Sequence, residues 1–438
     1  MRDIVLALFI FGTIPFILQR PYIGLLVWSW IGYMNPHRLT FGFAYSFPWV
    51  MLIAVVTLMS LMASKESKRI PGSTFSVLLF LFLVWAGLTT FFAVEPAAAA
   101  EKLEEFAKAL VMVFATLMLV NTRERMHWLV WAIVVSLGFY GLKGGVFTIL
   151  RGGASHALGP PGSFIAYNNA FAMALCMVLP LIRYLQLHAA RKIVRIGLGV
   201  TMVLTGITVL GTYSRGGLVG LIIVSGALML KSRRRVALAL VIGIVGATAY
   251  HFMPPEWTAR MDTLQDARQT SSGESRIQSW KFSTNVALHH PLVGGGFDVY
   301  QSTSMWAQYG PEGAIPRAVH SIYFRVLGEQ GFPGLALFLA LLTTSWRSCS
   351  RVRQKTRGSP EQRWAYDLAS MLQVVLVAFM VAGAFLPMTY FDLTYQLMAL
   401  CVLLELRVRQ PAEQLSDKLR RGSRKHERLQ HTSPATSE

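Results

Sequence analysis

The sequence predicts an all-α, polytopic integral membrane protein, and three observations support this fold class. Hydrophobic residues make up 53% of the 438 positions, and charged residues only 14%. The mean hydropathy of +0.46 is far from that of a water-soluble domain, in which about a quarter of the residues are charged. Apolar runs long enough to cross a bilayer core of about 30 Å as helices also recur along the whole chain.

These apolar runs predict about twelve crossings. The first run, 4–34, is interrupted at Arg20 and Pro21. Because no small-residue cleavage site follows it, we expect this run to remain in the protein as an anchor. The other runs lie at 47–63, 74–94, 106–120, 128–150, 168–185, 196–213, 216–230, 236–253, 321–346, 368–388 and 391–407.

Basic segments orient the chain, since Lys and Arg are enriched in cytoplasmic loops. Six segments separated by whole helical hairpins are expected in the cytoplasm: 64–69, 121–125, 183–195, 231–235, 347–357 and 417–428. The remaining connections are then extracytoplasmic: 35–46, 94–105, 151–169, 214–217, 254–320 and 388–392. With Met1 in the cytoplasm, residues 1–34 have to count as one crossing.

The pattern of apolar and polar segments divides the chain into four parts. These are an N-terminal transmembrane bundle (1–253), a large extracytoplasmic loop (254–320), C-terminal transmembrane helices (321–410) and a disordered cytoplasmic tail (411–438). The tail is polar and charged and lacks an apolar period. Within the large loop, the spacing of Ile277, Trp280, Val286 and Ala287 predicts an amphipathic helix that lies on the membrane and carries Arg276.

Charge and cysteine content exclude several classes of protein. The formal net charge is +19, but the excess cations lie in short inner loops and the tail, where membrane orientation and anionic headgroups explain them. We therefore predict no nucleic-acid partner. Cys176 and Cys401 fall in apolar spans and Cys349 in an inner loop, which predicts no disulfide. The sequence also lacks an Asp-x-Asp pair and helical His/Glu ligand spacing, so no metal is expected.

The segment "TYSRGG" at 212–217 places Arg215 between two apolar runs, where burying a charge is costly. Gly216 and Gly217 allow another backbone to approach closely. The helix that begins here has its N-terminus toward the outside, an arrangement that favours anion binding. The alternative is that Arg215 simply reaches the lipid interface, as isolated arginines at span ends do.

His320 lies where the large loop enters the next span. A helix N-terminus disfavours the imidazolium ion, so we expect a neutral ring that can accept a proton. Arg325 and Glu329 are four residues apart and share a helix face, where a structural ion pair is the alternative to a site role. The small residues that follow predict either a kink or a close packing face: Gly328, Gly331, Pro333 and Gly334.

Four segments in this order are similar to motifs of one superfamily. "HSIYFRVLGEQGFPG" (320–334) is similar to a histidine and Gly/Glu-Gly pattern that begins a late span, and "TYSRGG" to an outer-face Ser-Arg-Gly turn. "ESRIQSW" (274–280) followed by "HPLVGGGFDVY" (290–300) resembles a large-loop block, and "GPPGSFIAYNNAFA" (159–172) a stretch before another span. Jointly they resemble the O-antigen ligase and polymerase superfamily.

The N-terminal segment "RPYIGLLVWSWIGYMNPHRL" (20–39) further resembles the O-antigen ligase-like proteins. The resemblance implies a GT-C-like membrane glycosyltransferase in the bacterial inner membrane, with a large periplasmic loop and a periplasmic site. Such an enzyme would transfer a glycan en bloc from undecaprenyl diphosphate to lipid A-core oligosaccharide, with inversion and without metal or other cofactor. Its expected partners are this donor, this acceptor and membrane lipids, and its expected state is a monomer.

Other functions stay open. The superfamily also contains O-antigen polymerases and protein O-oligosaccharyltransferases, which use the same donor chemistry. A lipid-linked glycan flippase is the non-enzyme alternative, but a transporter favours polar groups near mid-membrane, whereas the unusual groups here gather at the outer face. A two-carboxylate glycosidase mechanism agrees less well, since a sequence cannot place two acids at the required separation.

Residue chemistry assigns roles within the ligase hypothesis. Arg215 and Arg276 are expected to stabilise the departing diphosphate, because guanidinium groups donate bidentate hydrogen bonds to phosphate. His320 is expected to remove the proton of the acceptor hydroxyl. Asn168 and Asn169 bind substrate or cap the following helix. The full set of expected substrate contacts is Lys143, Arg151, Asn168, Asn169, Tyr213, Trp280, Tyr323 and Arg325.

Overall fold

The computed structural model describes residues 1–232, 235–262 and 271–409. Helix accounts for 77% of the structure, and no strand occurs in the described ranges. The all-helical prediction is therefore confirmed for this part of the chain. The predicted disordered tail, 411–438, lies outside the described residues.

Sixteen helices occur in the described ranges, numbered here in chain order. They are α1 (Arg2–Gln19), α2 (Pro21–Met34), α3 (Trp49–Ala63), α4 (Thr74–Phe91), α5 (Pro96–Leu119), α6 (Arg123–Leu150), α7 (Asn168–His188), α8 (Lys192–Gly211), α9 (Arg215–Lys231), α10 (Arg235–Phe252), α11 (Pro255–Asp262), α12 (Ser271–His289), α13 (Thr303–Tyr309), α14 (Ile322–Thr356), α15 (Arg363–Gly383) and α16 (392–409). Each predicted span from 47–63 onward coincides with one helix.

Seven of the described helices are long and apolar enough to cross a bilayer, namely α1, α4, α6, α7, α8, α14 and α15. The helix α3 is apolar but shorter. This composition agrees with a polytopic membrane protein. The expected twelve crossings are not confirmed, because α2, α3 and α9 are shorter than the roughly 20 residues of a full span.

The connections between helices gather at two opposite ends of the bundle. At one end, the Arg125 guanidinium in the first turn of α6 binds Glu66 at 2.6 Å, which joins the connection 64–73 to α6. We call this the basic end and define it by 64–73, 120–122, 189–191 and 357–362. At the other end, the Val94 N–H donates to the Gly295 carbonyl at 3.1 Å. This is the loop end, defined by 35–48, 92–95, 151–167, 212–214, 253–262, 271–321 and 384–391.

The first two helices form an antiparallel hairpin, so the prediction of a single crossing over residues 1–34 was wrong. The Asp3 carboxylate at the start of α1 accepts the N–H groups of Gly42 and Ala44 at 3.0 and 3.1 Å. The Ser60 hydroxyl near the end of α3 donates to the Ile17 carbonyl at 2.6 Å. The start of α1 therefore lies at the loop end, and its last turn lies near the basic end.

The break in this hairpin is a local effect of proline. Pro21 cannot donate to the helical ladder and is favoured at the first position of a new helix, so α1 ends before it. Arg20 adopts an extended conformation with φ −142° and connects the two helices. The sequence showed the break, but the return of α2 beside α1 depends on contacts that are remote along the chain.

Glycines allow the central helices to approach one another. A Cβ added at Gly217 of α9 would lie 2.5 Å from the Cβ of Ala172 in α7. A Cβ added at Gly141 of α6 would likewise overlap the side chain of Thr205 in α8. Such small-residue contacts are typical of helices that pack in membranes. The close backbone approach predicted at Gly217 is thus observed.

The helix α14 has 35 residues and is about 50 Å long, well beyond a bilayer core. Gly331 interrupts it with φ 67° and ψ −171°, and Pro333 follows within the helix. Of the two alternatives for this segment, a kink or a close packing face, the kink is therefore present at Gly331. The basic segment 347–357 was predicted as a loop, but all except its last residue belongs to α14, with Cys349 buried.

The large loop contains the predicted helix as α12, but its buried face packs against protein. Phe282, Ser283 and Val286 are fully buried, and a Cβ added at Gly328 of α14 would lie 3.1 Å from Ser283. Ile277 remains exposed. The prediction of a helix is confirmed, whereas its buried residues contact α14 and not an open membrane surface.

Candidate functional site

The turn before α9 presents Arg215 at the loop end of the bundle. Ser214 caps this helix by accepting the Gly217 N–H at 3.0 Å, which makes Arg215 the first helical residue. Tyr213 has a φ of 58°, a left-handed conformation that is rare for a side chain of this size. Its hydroxyl donates to the Gly153 carbonyl at 2.6 Å. Tyr213 is therefore engaged in holding the turn.

Asn168 and Asn169 connect the start of α7 to the same turn. The Asn168 amide donates to the Thr212 carbonyl at 3.0 Å, and the Ser214 hydroxyl donates to the Asn169 side-chain oxygen at 2.7 Å. The residue that precedes α7, Tyr167, makes no side-chain cap. Both asparagines thus act on the segment that carries Arg215.

The starts of α9 and α14 pack against the same part of α15. A Cβ at Gly216 would lie 3.3 Å from Leu386, just after α15. A Cβ at Gly383, the last residue of α15, would lie 2.7 Å from Ile322. The first turns that follow Arg215 and His320 therefore share one neighbouring segment, 383–386.

The helix α12 brings an arginine and an indole to this end of α14. The Trp280 ring stacks on Phe324 with a centroid distance of 5.1 Å and an interplanar angle of 11°. It also lies 6.2 Å from the Phe385 ring. Arg276 precedes Trp280 by one helical turn and is half-buried. The large loop is thus fixed to the segment next to His320.

His320 is half-buried, and its Nδ1 atom is buried without a hydrogen-bond partner among the described residues. Burial, together with the positive charges of Arg276 and Arg325, lowers the pKa of His320 to about 4. The ring is therefore uncharged at neutral pH. An unpartnered nitrogen on an uncharged ring can accept a proton.

Arg325 lies in a buried ion-pair cluster with two carboxylates. Its guanidinium binds Asp298 at 2.8 Å and Glu329 at 3.0 Å. Glu329 also accepts the Tyr390 hydroxyl at 2.6 Å and the Asp298 N–H at 3.1 Å. The rings of Tyr300 and Tyr390 lie 5.1 and 5.4 Å from the Arg325 guanidinium carbon. Arg325 and Glu329 therefore form the structural ion pair that the sequence analysis gave as the alternative to a role in the site.

Sequence reasoning missed Tyr300 and Tyr390 as members of this cluster. Asp298 and Tyr300 could have been found, because both belong to the "HPLVGGGFDVY" block. Tyr390 is remote along the chain from the other members, and no local pattern distinguishes it from a lipid-facing tyrosine. Only the packing of segment 384–391 against α14 brings it to Glu329.

Three expected substrate contacts have separate surroundings. Lys143 is exposed on α6, and Arg151 is exposed with its guanidinium carbon 5.9 Å from the Phe147 ring. The Tyr323 hydroxyl donates to the Met380 carbonyl at 2.9 Å, which ties α14 to α15. The structure therefore brings Arg276, Trp280 and Arg325 to His320, but shows no contact of Lys143 or Arg151 with them.

A cavity of about 250 Å³ lies near the basic end, away from these residues. Its polar groups interact with one another and with α15: His188 binds Asp367 at 3.2 Å, and the Trp131 indole donates to His127 at 3.1 Å. The residues that line the cavity are Arg123, Glu124, His127, Trp128, Tyr184 and His188. In the described ranges, no group of three or more His, Cys, Asp or Glu side chains could hold a metal ion.

Comparisons with known protein families agree with the position of this site. Residues 200–339 match the family model described as O-antigen ligase. Residues 1–190 match a family of unknown function, DUF5935. No curated protein matches the chain. The O-antigen ligase match includes Arg215, Arg276 and His320, and it ends inside α14.

Proposed function

We propose that this chain, which matches the O-antigen ligase family model over residues 200–339, joins a glycan from undecaprenyl diphosphate to lipid A-core oligosaccharide. The family implies a ligase- or polymerase-type membrane glycosyltransferase. The main support for this donor and acceptor chemistry comes from His320. Its ring is uncharged and lies near two arginines, and its Nδ1 atom has no hydrogen-bond partner among the described residues. A base next to cations suits the attack of a hydroxyl on an anionic donor.

Arg215 and Arg276 hold the donor diphosphate in this proposal. Guanidinium groups stay charged in a medium of low dielectric constant and donate bidentate hydrogen bonds to phosphate oxygens. The first turn of α9 adds N–H groups directed at the loop end, where they favour an anion. Tyr213, Asn168 and Asn169 support this function by fixing the turn that carries Arg215.

His320 acts as the general base. Its Nδ1 takes the proton of an acceptor hydroxyl while that oxygen forms a bond to the anomeric carbon. The bond from this carbon to the diphosphate oxygen breaks, and undecaprenyl diphosphate leaves with the electron pair. Attack from the face opposite the diphosphate inverts the anomeric centre, and the proton passes from His320 to water. The charge on the leaving group is stabilised by the arginines.

Diphosphate binding also improves the base. In the free protein, the positive charges of Arg276 and Arg325 keep the pKa of His320 low. A bound diphosphate offsets these charges, so the imidazole becomes more basic when the donor is present. The basicity of His320 therefore depends on whether the donor site is occupied.

The remaining parts of the proposal concern location and the other contacts. The connections of the basic end are denser in Lys and Arg than those of the loop end, so we assign the basic end to the cytoplasm and the loop end to the periplasm of a bacterial inner membrane. Lys143 and Arg151 would then lie near the periplasmic interface as further contacts to the donor. Trp280 forms an apolar wall beside His320 and offers a stacking surface to a sugar.

Acceptor choice decides between ligase, polymerase and protein oligosaccharyltransferase. Purified protein is incubated with undecaprenyl-diphosphate-linked glycan alone, with lipid A-core, or with a Ser/Thr peptide, each with and without a metal chelator. We expect product with lipid A-core in both conditions. Extension of the glycan with donor alone would make the protein a polymerase, and glycosylated peptide would make it a protein oligosaccharyltransferase. Loss of turnover with chelator would show a metal requirement.

The His320→Ala variant tests the base in the same assay. General bases contribute about 10² to 10⁴ in rate, so we expect kcat to fall by that factor while the protein stays folded. His289→Ala is the matched control, since His289 is exposed in the same loop and, among the described residues, is bonded to the Asn285 carbonyl and lies against the Tyr309 ring. A His320→Ala variant with wild-type turnover would exclude His320 as the base.

A further inference from the structure

The first connection at the loop end, 35–48, exposes aromatic side chains in a fixed conformation. Phe41 is 91% exposed and Phe43 57% exposed. The Asp3 carboxylate holds the backbone between them by accepting the N–H groups of Gly42 and Ala44. Because an exposed apolar patch marks a site of contact with a membrane or a partner, this connection suits the outer lipid leaflet.

Beside these rings lies an arginine that has no anionic partner among the described residues. The Arg38 Nε atom is buried without a hydrogen bond, and its guanidinium carbon lies 4.8 Å from the Tyr45 ring. The preceding residue, His37, is 7% exposed, and its Nδ1 also has no partner in the described ranges. Buried donors of this kind are costly unless a ligand completes their hydrogen bonds.

Arg38 and Arg2 supply the positive charge of this surface. Burial and the charge of Arg38 lower the pKa of His37 to about 4, so its ring is uncharged at neutral pH. Asp3, the nearby carboxylate, is occupied by two backbone N–H groups. Arg2 lies on the same side, with its guanidinium carbon 5.8 Å from the Phe41 ring. The surface is therefore positive next to exposed aromatic rings.

A continuous series of contacts leads from Arg38 toward His320. A Cβ added at Gly162 would lie 3.2 Å from the Arg38 guanidinium carbon, so the segment 159–165 covers Arg38. In this segment, Phe164 stacks on Phe391 with a centroid distance of 5.2 Å and an interplanar angle of 6°. The neighbouring Tyr390 binds Glu329 in the Arg325 cluster.

We propose that Arg38 and the connection 35–48 bind the phosphate group of a phosphorylated glycolipid in the outer leaflet, with its acyl chains against Phe41 and Phe43. Resting on the proposed function, this lipid is the membrane-anchored acceptor, since the donor diphosphate is held by Arg215 and Arg276. A guanidinium group matches a phosphate in charge and geometry. The surface thus selects an acceptor that carries both a phosphate and a lipid anchor.

Binding of lipid A-core to the purified full-length protein tests this inference without requiring turnover. The probes are phosphorylated lipid A-core, the same lipid after chemical removal of its phosphates, and inorganic phosphate as a competitor. We expect wild type to bind the phosphorylated form about tenfold or more tightly than the dephosphorylated form, since a hydrogen bond to a charged group is lost. Millimolar inorganic phosphate should not displace the lipid.

Variants identify the residues. We expect the Arg38→Gln variant to bind phosphorylated and dephosphorylated lipid A-core with equal affinity. The Arg38→Lys variant should keep part of the preference for the phosphorylated form. The matched control is Arg20→Gln, an exposed arginine in the same hairpin near the opposite end of the bundle, which should bind as wild type. Unchanged phosphate preference in Arg38→Gln, or full displacement by inorganic phosphate, would overturn the proposal.

Kinetics separate this inference from the proposed function. In the transfer assay, Arg38→Gln should raise KM for lipid A-core about tenfold, with KM for the donor and kcat close to wild type. Arg38-dependent binding without any transfer would refute the ligase function and leave the lipid site standing. Transfer with an unchanged KM for lipid A-core would refute the lipid site and leave the ligase function standing.

Discussion

Single residues at the loop end differ in chemistry because their neighbours differ in charge. Burial and two neighbouring cations lower the pKa of His320, so its imidazole stays uncharged, whereas Arg325 faces two carboxylates and forms ion pairs. Arg325 therefore stabilises the bundle and at the same time adds positive charge near the proposed base. A substitution at Arg325 is expected to affect both stability and proton transfer.

The pH dependence of transfer tests the state of His320. The uncharged form is active and is lost as pH falls through its pKa, so kcat/KM should stay level below pH 6.5 and decline only near pH 4. Removing a neighbouring positive charge with Arg276→Gln should move this acid limb to higher pH. Arg317→Gln, which changes another arginine of the same loop, should leave the limb unmoved. A wild-type limb at the ordinary pKa of histidine would contradict the structure.

The buried cluster predicts a difference in stability between two kinds of ion pair. Arg325→Gln leaves the carboxylates of Asp298 and Glu329 uncompensated, and Glu329 is only 1% exposed. Breaking a buried pair in this way costs about 3–5 kcal/mol. Lys102→Gln removes an exposed pair with Glu105 and should cost less than about 1 kcal/mol. Chemical unfolding in detergent measures both, and equal losses would show that the cluster adds no special stability.

At the scale of helices, glycine contacts determine how closely the site elements approach. Gly217 of α9 lies against Ala172 of α7, and Gly216 lies against Leu386. These contacts bring the start of α9 to the asparagines of α7 and to the end of α15. The position of Arg215 therefore depends on small residues that have no chemistry of their own.

Two alanine substitutions in α9 separate packing from helix propensity. Gly217→Ala places a Cβ 2.5 Å from that of Ala172, and such overpacking costs about 1–3 kcal/mol. Gly226→Ala meets nothing within 4 Å and should stabilise the protein by about 0.5–1 kcal/mol through backbone entropy. Unfolding midpoints and transfer rates report both effects. If Gly217→Ala kept wild-type stability and activity, the close approach of α7 and α9 would not be required.

At the scale of the whole molecule, the two ends of the bundle differ in the residues that they carry. The basic end holds the short connections rich in Lys and Arg, and the loop end holds the residues proposed for glycan transfer. The α1–α2 hairpin adds the connection 35–48 to the loop end. The chain start and the proposed lipid surface thus lie at the same end of the bundle as His320.

Cysteine labelling tests this arrangement. The native cysteines Cys176, Cys349 and Cys401 are buried, so little labelling of these residues is expected. A membrane-impermeant maleimide applied to intact spheroplasts should label Arg2→Cys, but should label Arg20→Cys only after lysis. If α1 and α2 formed one crossing from a cytoplasmic Met1, Arg2→Cys would be protected in intact spheroplasts.

Much of the candidate site could be predicted from sequence because its elements are local. Apolar length defined the helices, the Gly-Pro pattern predicted either a kink or a close packing face where Gly331 interrupts α14, and the Ser-Arg-Gly turn predicted an arginine at a helix start. The partners of Arg325 could be predicted only in part. Glu329 is on the same helix face, but Asp298 and Tyr390 reach the cluster from separate segments.

The sequence by itself determined an all-helical membrane protein with basic connections on one side and a histidine and arginines on the other. These properties follow from hydrophobic length, proline and charge, which act over one or two helical turns. Only the tertiary structure decided that α1 and α2 form a hairpin, that Tyr213 and the asparagines hold the Arg215 turn, and that Arg38 lies unpaired among the described residues. Those features depend on contacts between segments far apart along the chain, which no local pattern encodes.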